Sequence, residues 1–420
     1  MSGDTSGVTD TGNTGDTTGT GDTGGPETRP SQRGSWRAVG AVAGWQTAAS
    51  LCYYTLFAAT GFVREAFSIS ESLVGLFLTA GLLGYTVALF PSGAAVDGFG
   101  EKPVMLGGLL ALAVALVVVS FTPATGSYAL LLGAVALLGA AYSTAMPASN
   151  RGIVAAAPAG SKNLAMGLKQ VGVTAGSGAS SLIVTGIAAF AAWQVGFWLI
   201  AVVAVGYALV FAVSYRGTDG TGRLEPPELA GLGSNRTYVA LVAAGLFVGA
   251  SIYSMLGYTI LYVEDVVGAS ASMAGIVLAA TQVTGSVGRI GAGSLADRLG
   301  GASGAATVAL VQLTGATVLF ALLAGSGGSL VLTLGVFVAL GLTIHGSTGV
   351  FYSCLSSVVD DDDIGAATAG GQTAINAGGL VAPPLFGALV EFSGYGAGWA
   401  MVTVLTVAAA VLLFVVTRRL

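Results

Sequence analysis

The sequence predicts an all-α membrane protein with twelve transmembrane helices in two pseudo-symmetric six-helix bundles. Three observations carry this reading. Only 8% of the 420 residues are charged and 54% are hydrophobic, whereas a soluble domain carries roughly 25% charged residues. Apolar stretches of the ~20 residues that a membrane span needs recur throughout the chain after residue 37. Short signatures repeat at an offset of about half the chain.

Apolar windows between polar breaks place spans near 38–60, 73–96, 103–121, 128–156, 164–189 and 195–214. After a break they resume near 237–262, 272–296, 303–324, 329–357, 364–390 and 396–417. The 66 glycines and abundant Ala and Val suit helices that associate through small residues. The break, residues 216–236, holds Pro226, Pro227 and mixed charges, so it reads as a cytoplasmic linker between bundles 37–215 and 237–420. Residues 1–36 form a Gly/Asp/Thr-rich acidic tail with almost nothing apolar to bury, which predicts disorder, and no apolar segment marks it as a signal peptide. Tail and Asp360-Asp361-Asp362-Asp363 supply much of the net charge of −5, a composition that suggests a salt-loving organism. Cys52 and Cys354 lie inside apolar spans and read as small core residues.

Orientation follows from the cations. With both termini in the cytoplasm, Arg29, Arg33, Arg37, Lys102, Lys162, Arg216, Arg223, Arg236, Arg298, Arg418 and Arg419 all fall on that side, and only Arg64 falls outside. The positive-inside rule therefore expects this arrangement in the cell membrane.

The halves repeat in register. Gly93-Ala94-Ala95-Val96-Asp97-Gly98-Phe99-Gly100 after the second span is answered by Gly293-Ser294-Leu295-Ala296-Asp297-Arg298-Leu299-Gly300 after the eighth, 200 positions on. Ala165 to Gln170 opens the fifth span and Ala367 to Gln372 the eleventh, 202 positions on, so that Gln170 answers Gln372. Such duplication points to paired bundles with a cavity between them.

These motifs resemble the major facilitator superfamily, whose mark is G-x-L-A-D-[RK]-x-G-[RK]-[RK] between the second and third spans. Gly293 to Gly300 matches its first eight positions; the copy at Gly93 to Gly100 has Gly98 in place of a basic residue, and Glu101 before Lys102. The resemblance covers residues 37–420 and implies a secondary transporter working by alternating access. It also implies a gating set of Gly93, Asp97, Gly100, Lys102, Gly293, Asp297, Arg298 and Gly300, with Arg289 supporting Asp297. The glycines are expected to allow close helix contact, and the aspartates to face a helix N-terminus or an arginine while the cytoplasmic side is shut. Met146-Pro147-Ala148-Ser149-Asn150-Arg151 and Met166-Gly167-Leu168-Lys169-Gln170 further resemble a subgroup with cyanate-permease-like and organic-anion carriers.

A charge inside a membrane helix costs roughly 2.5–3.5 kcal/mol on insertion scales, so Arg151 and Lys169 need a reason. One is an anion site, with Asn150, Gln170, Gln372 and Asn376 as neutral hydrogen-bonding partners. The other is a place near the cytoplasmic end, where Lys169 snorkels and Arg151 pairs with Asp97. His345, the single histidine, either relays protons or packs as a core hydrogen bonder. Gln282, Tyr53 and Tyr54 are further candidate cavity liners. No carboxylate falls at the centre of a span, which leaves a coupling ion open.

No nucleotide-binding loop, metal-ligand cluster or nucleophilic triad is visible. The expectation is a non-enzyme without cofactor or metal that handles a small-molecule substrate in a lipid bilayer. It needs no nucleic acid, and a monomer is expected to suffice. A small organic or inorganic anion is the first expectation for the substrate. A drug or metabolite exporter is the alternative, although the fifth span lacks the Gly-Pro pair frequent in exporters of this superfamily. A non-transporting membrane sensor is the reading from a different class.

Overall fold

The structure, a computed structural model, describes residues 34–159, 161–220, 222, 232–360 and 364–419. Most of the acidic tail, part of the 216–236 linker and Asp361 to Asp363 lie outside these residues, as do Arg29, Arg33 and Arg223. Every regular element among the described residues is helical. Among the described residues, eleven helices are long and apolar enough to cross a membrane. The remaining span, the first, is composite: Trp36–Tyr53, Thr55–Ala58 and Thr60–Phe67 follow one another with breaks at Tyr54 and Ala59.

The second to sixth spans are Glu71–Phe99, Glu101–Thr125, Tyr128–Ala156, Lys162–Ala188 and Trp193–Ser214. The seventh to twelfth are Arg236–Asp265, Ala271–Arg298, Ala302–Gly325, Leu330–Ser357, Ile364–Ser393 and Tyr395–Thr417. Large apolar side chains such as Val87, Leu137, Val213 and Phe392 lie exposed on the outside, as lipid rather than water requires.

Packing repeats with the sequence. The first span packs on the fifth and the seventh on the eleventh; the third packs on the sixth and the ninth on the twelfth. Small residues bring the backbones together: a Cβ added at Gly249 would lie 1.9 Å from the Ile375 carbonyl oxygen, and one at Gly139 would lie 1.8 Å from that of Gly81. Across the halves the second span meets the eleventh and the eighth meets the fifth. Gly75 abuts Pro383, and its counterpart Gly275 abuts Thr185. Equivalent ends thus point the same way, and this is the two-bundle fold that the duplication predicts.

The fourth and tenth spans are both irregular midway. The fourth breaks at Ser143 and Thr144, where the ring of Pro147 conflicts with the carbonyl four residues earlier. The tenth widens by one residue at Gly341–His345, where the Gly346 amide donates to the Gly341 carbonyl at 3.1 Å. Wide turns of this kind inside helices frequently occur at functional sites.

Candidate functional site

A cavity of about 420 Å³ lies between the halves. Six tyrosines line it: Tyr53 and Tyr54 from the first span, Tyr85 from the second, Tyr142 from the fourth, Tyr253 from the seventh and Tyr352 from the tenth. The breaks at Tyr54 and Ser143 lie beside this wall, and Tyr53 stacks on Tyr142 with centroids 4.2 Å apart and planes 2° from parallel. Ile252, Leu256, Ile290 and Ile375 add apolar surface, while Met166, Gly167 and Gly293 line it towards the end that carries Asp97 and Asp297.

Arg289 of the eighth span is the one arginine or lysine of the lining, and no carboxylate lines the cavity among the described residues. Its Nε donates to the His345 carbonyl at 3.1 Å and to Thr348 Oγ1 at 2.9 Å. Both acceptors lie at or just beyond the wide turn of the tenth span. No other hydrogen bond is made by the guanidinium among the described residues, so its two Nη groups remain available to a ligand. Its placement differs from the expected support of Asp297: the side chain turns into the cavity, and Asp297 and Arg298 are exposed with no hydrogen bond or ion pair among the described residues.

The other expected residues divide. Gln170, Gln372 and His345 line the cavity. His345 is buried, and neither ring nitrogen has a partner among the described residues. The Tyr352 hydroxyl donates to Gln372 Oε1 at 2.5 Å, and Gln372 Nε2 donates to Asn376 Oδ1 at 2.8 Å, so Asn376 stands behind the wall. Lys169 is fully buried outside the lining, with Nζ donating to Asn150 Oδ1 at 2.5 Å and near Met146 Sδ at 3.8 Å. Gln282 is buried away from the cavity and its Nε2 has no partner among the described residues.

Arg151 also lies outside the cavity lining. Its guanidinium reaches the Val96 carbonyl at 3.1 Å, Asp97 Oδ1 at 3.5 Å, Glu101 Oε2 at 3.4 Å and the Asp219 carbonyl at 2.9 Å. Glu101, which departs from the motif, is the buried centre of this cluster. It accepts from the Tyr215 hydroxyl at 3.0 Å, the Thr218 amide at 2.7 Å and Thr218 Oγ1 at 2.5 Å. Lys102 turns the other way and donates to the Ala212 carbonyl at 2.8 Å near the end of the sixth span.

Gly100 joins the second and third spans as a single residue at φ +85°, and a Cβ there would lie 2.3 Å from the Thr218 carbonyl oxygen. Only glycine suits both conditions. Gly93 and Gly293 differ from the expected close contacts: a Cβ at either would meet nothing within 4 Å. The sequence signal for Glu101 was a carboxylate where the motif has a basic residue; that for the aromatic part of the wall was tyrosine inside otherwise aliphatic spans.

At the opposite end the halves are tied by charge. Arg64 Nη2 donates to Asp265 Oδ1 at 2.7 Å and Nη1 to Asp265 Oδ2 at 2.5 Å, while Nη1 also pairs with Glu71. The Tyr395 hydroxyl donates to Asp265 Oδ2 at 2.6 Å, and Glu391 Oε1 accepts from the amide and hydroxyl of Ser72, both at 2.6 Å. Among the described residues, the one ion pair between the halves, Arg64 with Asp265, lies at this end.

Comparison with known proteins agrees with this architecture. The chain is 25% identical over 359 residues to the probable sulfoacetate transporter SauU of Cupriavidus necator, covering 79% of this chain and 82% of that protein. A bacterial homologue of the human lysosomal transporter Spinster, solved inward-facing and occupied, superposes with a TM-score of 0.76 at 16% identity, covering 90% of this chain and 96% of that one. The same homologue solved inward-facing and unoccupied gives 0.74 at 15% identity over 91% and 96%. Residues 43–369 match the family model described as Major Facilitator Superfamily. With that match over most of a duplicated twelve-span chain, the protein belongs to the Major Facilitator Superfamily and is a multi-pass membrane transporter.

Proposed function

We propose that this transporter moves a small organic or inorganic anion across the cell membrane by alternating access, with Arg289 as the charge that holds it. The observation that carries the reading is a guanidinium in a cavity wall without a carboxylate. A lone cation in low dielectric attracts an anion strongly. The likeness to a probable sulfoacetate transporter supports an anionic solute.

In this reading both termini are cytoplasmic, residues 37–215 and 237–420 rock against each other about the 216–236 linker, and the Asp97 end faces the cytoplasm. The open space at Gly93 and Gly293 and the ion pairs at the Arg64 end are what a cavity open to the cytoplasm and closed outside requires. Arg151, Asp97 and Glu101 then hold the cytoplasmic end of the first bundle, and Gln170 and Gln372 flank the solute.

The test is uptake of labelled anions into proteoliposomes, beside neutral analogues of the same size. Arg289→Gln is expected to abolish anion uptake, and Arg289→Lys to retain part of it, since Lys keeps the charge but loses the planar fork. Equal uptake of neutral analogues, or full activity in Arg289→Gln, would remove the anion from the proposal.

A further inference from the structure

Charge count, cavity size and wall chemistry together narrow the solute. Arg289 supplies the one arginine or lysine charge of the lining. The other cations that could have joined it are engaged elsewhere: Lys169 with Asn150, Arg151 with Glu101 and Asp97. With Nε committed to the His345 carbonyl and Thr348, the Nη pair offers one fork, which matches one carboxylate or sulfonate. A second negative charge on the solute would enter a low-dielectric cavity without a cationic partner, a costly placement.

The cavity of about 420 Å³ falls within the roughly 300–1,000 Å³ of pockets that take drug-sized ligands. A two-carbon anion fills a minor part of it. Part of the polar wall is paired within the protein: Tyr352 with Gln372, Gln372 with Asn376, Tyr142 with Ser50; the Gln170 amide, the His345 ring and the hydroxyls of Tyr53, Tyr54 and Tyr85 make no hydrogen bond among the described residues. Beyond Arg289 and these neutral polar groups, the wall offers ring faces and aliphatic side chains, which suit an apolar body that carries few polar atoms.

We infer that the cavity takes an organic monoanion with an aromatic or similarly bulky apolar body, its acid group on the Nη edge of Arg289 and its body against the tyrosines. This rests on the anion reading above and narrows it away from short dianions. Tyr54 comes from the first bundle, whereas Arg289 and Tyr352 come from the second, so a solute that bridges them contacts both halves at once.

The test is isothermal titration of the purified full chain with phenylacetate, acetate, sulfoacetate and the neutral phenylacetamide. Phenylacetate is expected to bind tightest. Phenylacetamide should bind weaker by roughly tenfold or more, the loss of hydrogen bonds to a charged group. Tyr54→Leu should weaken phenylacetate by about two- to tenfold, as for loss of an aromatic contact, and leave acetate unchanged. Sulfoacetate binding tighter than phenylacetate would overturn this inference and leave the anion reading standing. Phenylacetamide binding as tightly as phenylacetate would overturn both. No binding of phenylacetate at millimolar concentration would overturn the inference, and these comparisons on the unaltered chain do not depend on whether a variant folds.

Discussion

Replacing Arg64 by Gln tests whether the ion pair between the halves, Arg64 with Asp265, holds that end shut. Arg64 makes a bidentate pair with Asp265 of the seventh span and a second pair with Glu71. The side chains are partly exposed, at 26% for Arg64, 30% for Asp265 and 13% for Glu71. Fully exposed pairs contribute roughly 0.2–1 kcal/mol, and breaking a buried pair costs about 3–5 kcal/mol. Only the Asp265 pair crosses the halves, and a bidentate pair of intermediate exposure is worth about 1–2 kcal/mol in the balance between closed and open. At 1.4 kcal/mol per factor of ten, the closed-to-open ratio should fall roughly five- to thirtyfold. The bonds from Tyr395 to Asp265 and from Ser72 to Glu391 remain, so the end loosens without losing every tie. Spin labels at Ala66→Cys and Ala269→Cys, on opposite halves beside the cluster, read the change as a longer-distance population in pulsed dipolar spectroscopy. Cys52 and Cys354 are buried and contribute little background. High salt should produce part of the same shift in the unaltered protein, because the cluster is half-exposed. An unchanged distance distribution in Arg64→Gln at low salt would refute the latch.

Three further outcomes are expected at the other end. Arg151→Gln should leave anion affinity within about twofold, because its side chain lies outside the cavity lining and distant sites are nearly additive; a loss above tenfold in titration would return Arg151 to the solute site. Glu101→Gln should lower thermal stability by about 1–3 kcal/mol, since the amide cannot accept at every position now facing Thr218, Tyr215 and Arg151. An unchanged melting temperature in a fluorescence scan would contradict that. Gly100→Ala should cost about 1–3 kcal/mol in backbone strain alone, because φ +85° with ψ 162° is a region open essentially only to glycine, with a further penalty because its Cβ would press on the Thr218 carbonyl at 2.3 Å. Normal folding yield and melting for Gly100→Ala would show that this turn relaxes.

Composition and periodicity determined the solvent, the span count and the duplication. A chain with 8% charge must fold in lipid, and a span must satisfy its own backbone there, so local content sufficed for helix positions. The breaks in the first and tenth spans were less visible, because no proline marks Tyr54 or Gly341. Repeats such as Gly75 with Gly275 placed equivalent helices, but they carry no information on which rotamer a long side chain adopts. That choice belongs to tertiary structure. Arg151, Lys169 and Arg289 were three cations inside predicted helices, alike in sequence. The fold surrounded Arg151 with Glu101, Asp97 and backbone carbonyls and buried Lys169 against Asn150. Only Arg289 was turned into the cavity, because the wide turn at Gly341–His345 presents a carbonyl to its Nε. The six tyrosines of the wall come from five spans in both halves, and only the packing of two halves makes them one surface.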